Sequence, residues 1–465
     1  NPPPSRTPSR MDFYDTDLDV DDGLSDSMYY TDEPEFTLAD LYTNCLVPTL
    51  RDGIGAAAVL LPTCIVFRLV VHANILPRNG VHILSALAGI CCLYHFFAGL
   101  ASYVASFAMF GIAVLLSVDL CVRRLRGLIC SAACIAFVVV CELYLVDATS
   151  WHRVRGPQMI IAMKLISLAL DVDSGSYKLP PLLHILGYVF HVGTSIFGPW
   201  VGFSDYDASI DAGPVDVLWS LSVGRCFLLS YMSLTVSTCW ASWLLPFGDF
   251  RWPAAYRDAM SFRFSHYFIS FLSETTAVAS GITQAGSLDL AVTSPKDVEI
   301  PRSLVEVVIH WNRSMHTWLR QYVFKATRPL GNFTAILLTY AASSLLHGIN
   351  FQLAAVLLSL GFYTYTEFVL RQKLATVFDA CIGARRCKPH CDHRYKSDHP
   401  AVFGTNLFFG LLSVFHLAYL GVMFDAAPQL QEQGYSMSHT LSKWSELKFA
   451  SHWVALATFL FYLLV

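Results

Sequence analysis

The chain has 465 residues, of which 54% are hydrophobic and only 14% are charged, and its formal net charge is −4. Soluble domains carry about 25% charged residues, so this composition excludes an ordinary soluble protein and predicts a chain that crosses a membrane several times. The acidic excess lies mostly at one end of the chain and gives no indication of a nucleic-acid partner.

The first 40 residues differ in composition from the rest of the chain. Residues 1–10, NPPPSRTPSR, precede Met11, and we expect them to be a non-native leader. Residues 11–40 are acidic and nearly free of aliphatic runs, which predicts a solvated, disordered tail that chemistry does not require. Residues 41–465 are predicted to form one all-helical membrane domain.

Apolar segments follow one another from residue 54 to the C-terminus. A hydrocarbon core about 30 Å thick needs roughly 20 helical residues, so the uncharged residues 81–118 are long enough for two helices. Glu142 interrupts the apolar segment 128–146, and we expect it to face protein rather than lipid. The whole pattern predicts roughly ten or eleven crossings, together with re-entrant or interfacial helices.

Two basic segments indicate the orientation of the chain. One is the cluster at residues 123–126, and the other is residues 367–400, with Lys and Arg at 371, 373, 385, 386, 388, 394 and 396. The positive-inside rule predicts that both face the cytosol.

The second basic segment also holds Cys381, Cys387, Cys391, His390 and His393. An ordinary loop, a zinc site and S-acylated cysteines are all compatible with this spacing, in that order of preference, and we expect no metal. Other cysteines lie inside apolar runs, where we expect small buried hydrophobic groups rather than disulfide partners: Cys91, Cys92, Cys130, Cys134 and Cys141.

Residues 333–366 contain no Asp, Glu, Lys or Arg, and His347 followed by Gly348 lies near their middle. An ionisable side chain inside a membrane is costly to bury and is by default a functional candidate. A neutral imidazole, with an ordinary pKa of about 6.5, can remove a proton from a hydroxyl group, and a deep position limits competing hydrolysis. Each of the other embedded histidines, taken singly, is more often a hydrogen-bonded core residue, so position alone does not decide the role of His347.

Asn312, which follows Trp311, lies 35 residues before His347. A neutral amide can orient a substrate or donate to a developing oxyanion without adding a buried charge. It can equally cap a break between two short helices, and the flanking His310 and His316 could take the same role.

Basic side chains near the ends of apolar segments are candidates for a phosphorylated ligand. Arg155 and Lys164 lie in residues 147–164, and Arg263 lies in the amphipathic residues 254–285. Guanidinium groups match phosphate oxygens, although anchoring at the membrane interface explains the same pattern equally well. The chain contains no P-loop, GxSxG, HExxH or dinucleotide fingerprint, and it lacks the two similar halves with broken helices that are typical of secondary transporters.

Several longer motifs carry a resemblance that the single residues do not. They are WHRVRGPQMIIAMK at 151–164, FGPW at 197–200, EIPRSLVEVV at 299–308, TYAASSLLHGINFQLAAVLLSL at 339–360 and FHLAYLG at 415–421. Together they make the chain, from about residue 41 onward, resemble the membrane-bound O-acyltransferase family, in its branch that acylates Wnt proteins.

The resemblance implies a multi-pass enzyme of the endoplasmic reticulum, with helices around a central tunnel. It implies transfer of palmitoleate from palmitoleoyl-CoA, which enters from the cytosol, to a serine of Wnt proteins, which enter from the lumen. The modification would enable Wnt secretion and signalling. By position, the family's catalytic histidine falls on His347 and its polar partner on Asn312.

We therefore predict a site with His347 and Asn312 as catalytic residues. Its acyl-CoA contacts are predicted at Trp311, Ser343, Leu346, Arg263, Arg155 and Lys164. The alternatives are a non-catalytic scaffold of the same fold that binds lipid or Wnt, and a transporter of the same fold.

Overall fold

The computed structural model describes residues 37–122, 125–211, 213, 215–246, 250–282, 290–388, 390–424 and 436–465. Helices α1 to α10 are Leu38–Leu41, Val47–Ala57, Leu60–His72, Arg78–Phe97, Ala101–Cys121, Arg126–Val140, Ala148–Asp173, Leu182–Val189, Phe203–Ser209 and Val217–Thr235. Helices α11 to α21 are Ala241–Leu244, Arg251–Ala279, Pro295–Glu299, Leu304–Trp311, Arg313–Trp318, Lys325–Thr327, Asn332–Leu346, Phe351–Val377, Pro400–Gly421, Met437–Glu446 and Ala450–Leu464. Short π-helical segments continue four of them: Tyr42–Leu46, Cys141–Leu145, Val236–Trp240 and Leu319–Phe324.

No β-strand forms among these described residues, and the all-helical polytopic membrane fold is confirmed. The predicted leader and almost all of the predicted acidic tail, residues 1–36, lie outside them. The last residues of that tail are helical rather than disordered, because Thr37 and Asp40 cap the start of α1 reciprocally. The division of the chain at residue 41 stays a prediction.

Five helical segments in the described part of the chain are long and apolar enough to cross a membrane: 78–121, 126–145, 217–244, 351–377 and 400–421. Two bent helix pairs raise the number to seven, and α17 is apolar but shorter. The predicted count of roughly ten or eleven is thus confirmed only in part. Helices α7 and α12 are long enough, but the charged residues along them keep their mean hydropathy low.

Helices α7 and α12 form the centre of the fold. Helix α7 packs on α5 and α6, while α12 packs between α10 and α19. The close approach of α12 to α19 depends on Gly421, where an added Cβ would lie 2.5 Å from the Cβ of Ala259. The polar faces of both central helices are thus turned into protein, which explains how they carry charges in this environment.

A buried arginine ties α18 to three other parts of the chain. Arg371 pairs with Glu367 one turn earlier, with Nη1 2.9 Å from Oε1. Its other N–H groups donate to the carbonyls of Arg302 and Ile382 and to the side chain of Asn406. Because every charge has several partners, the cost of burying this pair is offset. The loop after α18 is thereby fixed against α19 and the start of α14.

The cysteines follow the sequence prediction in part. Cys92, Cys130, Cys134 and Cys141 are buried, as expected, but Cys91 is exposed on the outer face of α4. Cys45 and Cys239, which the sequence did not single out, form a disulfide that joins the first helical segment to the end of the α10 span.

Candidate active site

His347 lies in the turn between α17 and α18. Its backbone N–H donates to the carbonyl of Ser343, Gly348 takes a φ of +98°, and the side chain of Asn350 caps α18 by accepting from Gln352 N–H at 2.9 Å. The stop and start signals Gly348 and Asn350 break residues 333–366 into two helices. The imidazole of His347 therefore lies at a helix break, near the middle of the uncharged residues 333–366.

Glu142 holds this turn from the neighbouring π-helical segment. Its Oε2 accepts a hydrogen bond from Ile349 N–H at 2.7 Å, and a Cβ on Gly348 would lie 2.8 Å from its Oε1. The prediction that Glu142 faces protein is confirmed. Sequence reasoning did not connect it with His347, since 205 positions separate the two residues.

The His347 side chain is half-buried, so protein surrounds it but part of its surface stays accessible. Among the described residues, Arg155 and His266 are the charged or titratable groups close enough to act on it electrostatically. His266 stacks on the indole of Trp311, with ring centroids 4.3 Å apart, and its Nε2 donates to the Trp311 carbonyl at 3.0 Å. His266 thus links the surroundings of His347 to the Trp311–Asn312 segment.

Asn312 separates α14 from α15 and caps the second of them. Its Oδ1 accepts a hydrogen bond from Met315 N–H at 3.0 Å, so the capping alternative is confirmed. That bond fixes the amide plane and does not use the Nδ2 group, which is the donor that an oxyanion needs. The flanking His310 is directed toward Asp297, at 3.8 Å between Nδ1 and Oδ2.

Lys164, one of the predicted acyl-CoA contacts, binds protein acceptors in the structure. Its ammonium group is fully buried and donates to the carbonyls of Tyr188 and Val189 and to the hydroxyl of Thr194. These three acceptors match its three N–H groups, so none is left for a phosphate. Lys164 therefore stabilises the C-terminal end of α8 and the turn that follows it.

Arg263 is likewise committed to a protein partner. Its Nε and Nη2 form a bidentate salt bridge with the carboxylate of Glu299, at 2.7 and 2.8 Å. The hydroxyl of Tyr267 donates to the same carboxylate. Of the three basic residues that the sequence proposed for the donor, only Arg155 lies close to His347. Ser343 and Leu346 are buried on the last turn of α17, directly before His347, and their contact with an acyl chain stays a prediction.

Comparison with known proteins decides the family. The profile of the membrane-bound O-acyltransferase family matches residues 100–380, which include both Asn312 and His347. This chain belongs to that family. It is an acyltransferase, and the prediction of an acyltransferase is confirmed.

Individual relatives match over most of the chain. Human protein-serine O-palmitoleoyltransferase porcupine is 41% identical over 453 residues, which cover 91% of this chain and 97% of the human protein. The protein of the same description from Anopheles gambiae is 36% identical over 358 residues, covering 70% and 72% of the two chains. Lysophospholipid acyltransferase 2 of Arabidopsis thaliana is 23% identical over 335 residues, covering 58% and 69%.

Proposed function

We propose that this acyltransferase moves the palmitoleoyl group of palmitoleoyl-CoA to a serine hydroxyl of Wnt proteins in the endoplasmic reticulum membrane. The observation that carries the proposal is the 41% identity to the human protein-serine O-palmitoleoyltransferase over nearly the full length of both chains. The Wnt acceptor and the compartment follow from the resemblance of the motifs described above.

The proposed chemistry uses the neutral imidazole of His347 as a general base. It takes the proton of the serine hydroxyl while the serine oxygen attacks the thioester carbonyl carbon. The Nδ2 amide of Asn312 donates to the oxyanion that forms. When the tetrahedral intermediate collapses, the carbon–sulfur bond breaks, and coenzyme A leaves as a thiolate that receives the proton from the imidazolium.

Two features of the geometry support these roles. The imidazole lies at a helix break fixed by Glu142, so no continuous helix has to open for a substrate to reach it. Arg155 lies close enough to His347 and to the Glu142 carboxylate to interact with both electrostatically, and its positive charge suits the negative charge of a phosphorylated donor.

The test is acyl transfer from palmitoleoyl-CoA to a Wnt-derived serine peptide by purified wild-type and His347→Ala proteins. We expect the substitution to lower the rate by at least about 100-fold, because general base catalysis contributes 10²–10⁴-fold. Binding of palmitoleoyl-CoA should persist. His95→Ala is the matched control, since His95 lies exposed on α4, and it should keep the wild-type rate.

Full activity of His347→Ala would reject the proposed base. A scaffold would bind palmitoleoyl-CoA or the peptide without forming a product, and its binding would be equal in both variants. A transporter would move a substrate across reconstituted vesicles in the absence of any acylated peptide.

A further inference from the structure

Four side chains of metal-ligand type converge in the loop between α18 and α19. The sulfur of Cys381 lies 3.3 Å from that of Cys391 and 3.8 Å from Nδ1 of His393, and the sulfur of Cys387 lies 3.6 Å from the same nitrogen. All four ligand atoms lie within 4.8 Å of one another. Tetrahedral zinc with bonds of about 2.3 Å to sulfur and about 2.0 Å to nitrogen places its ligand atoms roughly 3.5–3.8 Å apart.

Two backbone hydrogen bonds help to hold these ligands together. Cys381 N–H donates to the carbonyl of Tyr395 at 2.9 Å, and Tyr395 N–H donates to the carbonyl of Asp379 at 3.0 Å. This bridge brings the two ends of the ligand segment side by side. The close approach of the four groups is therefore a property of the loop's fold, and a ligand set that is partly preformed binds a metal at a lower entropic cost.

The charge around the cluster suits three thiolates. Zn²⁺ with three thiolates and one neutral imidazole carries a net charge of −1, and Lys396 Nζ lies 3.5 Å from the Cys391 sulfur. Further basic side chains line the adjoining cavity: Arg302, Arg386 and Lys388.

We propose that Cys381, Cys387, Cys391 and His393 bind one Zn²⁺ as a closed structural site. On binding, the thiols release their protons to solvent and the zinc keeps its oxidation state. Four protein ligands leave no open coordination position, so the ion does not act on the thioester. This departs from the sequence prediction of an ordinary loop without metal.

The site has a consequence for the rest of the molecule. The carbonyl of Cys381 accepts from Arg302 Nη2 at 2.7 Å, and the carbonyl of Ala384 accepts from Ser303 Oγ at 2.9 Å. These two bonds attach the ligand loop to the residues directly before α14, the helix whose last residue precedes Asn312. Zinc therefore stabilises the position of α14, and with it the position of Asn312 at the other end of that helix.

The experiment measures the metal content of the detergent-purified full chain by mass spectrometry. We expect about one zinc per chain, and at least about a tenfold decrease for Cys387→Ser and for His393→Gln. The matched controls are His390→Gln, in the same loop but outside the cluster, and Cys121→Ser, an exposed cysteine elsewhere; both should retain the zinc.

X-ray absorption on the wild-type protein tests the ligand set without any substitution. Three sulfur neighbours at about 2.3 Å and one nitrogen at about 2.0 Å are expected. A chain without zinc, an oxygen-dominated shell, a Cys381–Cys391 disulfide or an S-acylated ligand cysteine would each overturn the proposal. Retention of zinc by both ligand variants would also overturn it.

Discussion

Among single residues, Asn312 has two functions that a substitution can separate. Its Oδ1 caps α15, while its Nδ2 is the proposed oxyanion donor. Serine caps a helix about as well as asparagine but lacks the amide donor. We therefore expect Asn312→Ser to keep the wild-type melting temperature and to lower the rate of acyl transfer by about 100-fold or more, as the loss of an oxyanion donor does.

Asn312→Ala completes this comparison, because it removes the cap and the donor together. We expect it to lose stability by about 1 kcal/mol, measured by thermal unfolding in detergent, in addition to the loss of transfer. If Asn312→Ser instead transfers the acyl group at a near-normal rate, Asn312 is only a cap, and the donor must be sought elsewhere.

The residues of the candidate site were predictable only where their function is encoded locally. His347 stands out because it is an ionisable group in a long uncharged stretch, and Asn312 because it interrupts two short helical patterns. Lys164 and Arg263 bind protein groups that the sequence did not indicate, since a basic residue in an apolar segment looks the same whether it binds a phosphate or a protein group. Their partners are the Tyr188 carbonyl at the end of α8 and the Glu299 carboxylate, 24 and 36 positions away, and no sequence spacing indicates such distant pairs.

Within the helix break itself, Gly348 is expected to be irreplaceable. Its φ of +98° disfavours any side chain by roughly 1–2 kcal/mol, and an added Cβ would also press on the Glu142 carboxylate at 2.8 Å. Gly331 is the matched control, because its φ is +101° but nothing lies within 4 Å of the added Cβ. We expect Gly348→Ala to lose acyl transfer in the peptide assay and Gly331→Ala to retain it. Equal losses in the two variants would show that the contact with Glu142 is unimportant.

Glu142 joins two distant elements by accepting the Ile349 N–H, and we expect it to act as a positioning residue. Glu142→Gln keeps an oxygen acceptor and should retain most of the rate, whereas Glu142→Leu leaves the N–H unpaired and should lower kcat. KM for palmitoleoyl-CoA should change little, since the turn, and not the donor, is disturbed. A change in KM alone would assign Glu142 to donor binding instead.

The elements were predicted best where composition is uniform. The uncharged residues 81–118, which were predicted to hold two helices, correspond closely to α4 and α5, because length and hydropathy suffice to define them. Within residues 333–366 the uncharged composition gives no helix boundary, and the break at His347 is marked only by the stop and start signals Gly348 and Asn350. Hydropathy does not identify α7 and α12 as membrane-crossing helices, because charged residues lower the mean hydropathy of both. Inside the fold, charged residues of both helices bind protein groups, such as Lys164 on α7 and Arg263 on α12.

For the molecule as a whole, the free thiols of Cys381, Cys387 and Cys391 lie near one end of α19, and the Cys45–Cys239 disulfide lies near the other end. The thiol loop precedes Pro400, and the far end of α19, about 33 Å away, packs Gly421 against Ala259. Two residues beyond Ala259, Ser261 exchanges hydrogen bonds with Ser237, next to the Cys45–Cys239 disulfide. Free thiols belong to a reducing compartment and disulfides to an oxidising one, so this arrangement agrees with the basic loop being cytosolic.

The same chain of contacts predicts the sides on which the last two loops and the C-terminus lie. Lys373, near the thiol end of α18, donates to the carbonyl of Tyr462, while Tyr419, near the other end of α19, bonds His452 at the start of α21. Helix α21 therefore returns to the side of the thiol loop. A glycosylation acceptor inserted after Phe424 should be glycosylated in cells, and one fused after Val465 should not. The reverse pattern would place the basic thiol loop in the lumen, and a cytosolic route for palmitoleoyl-CoA along that face would have to be abandoned.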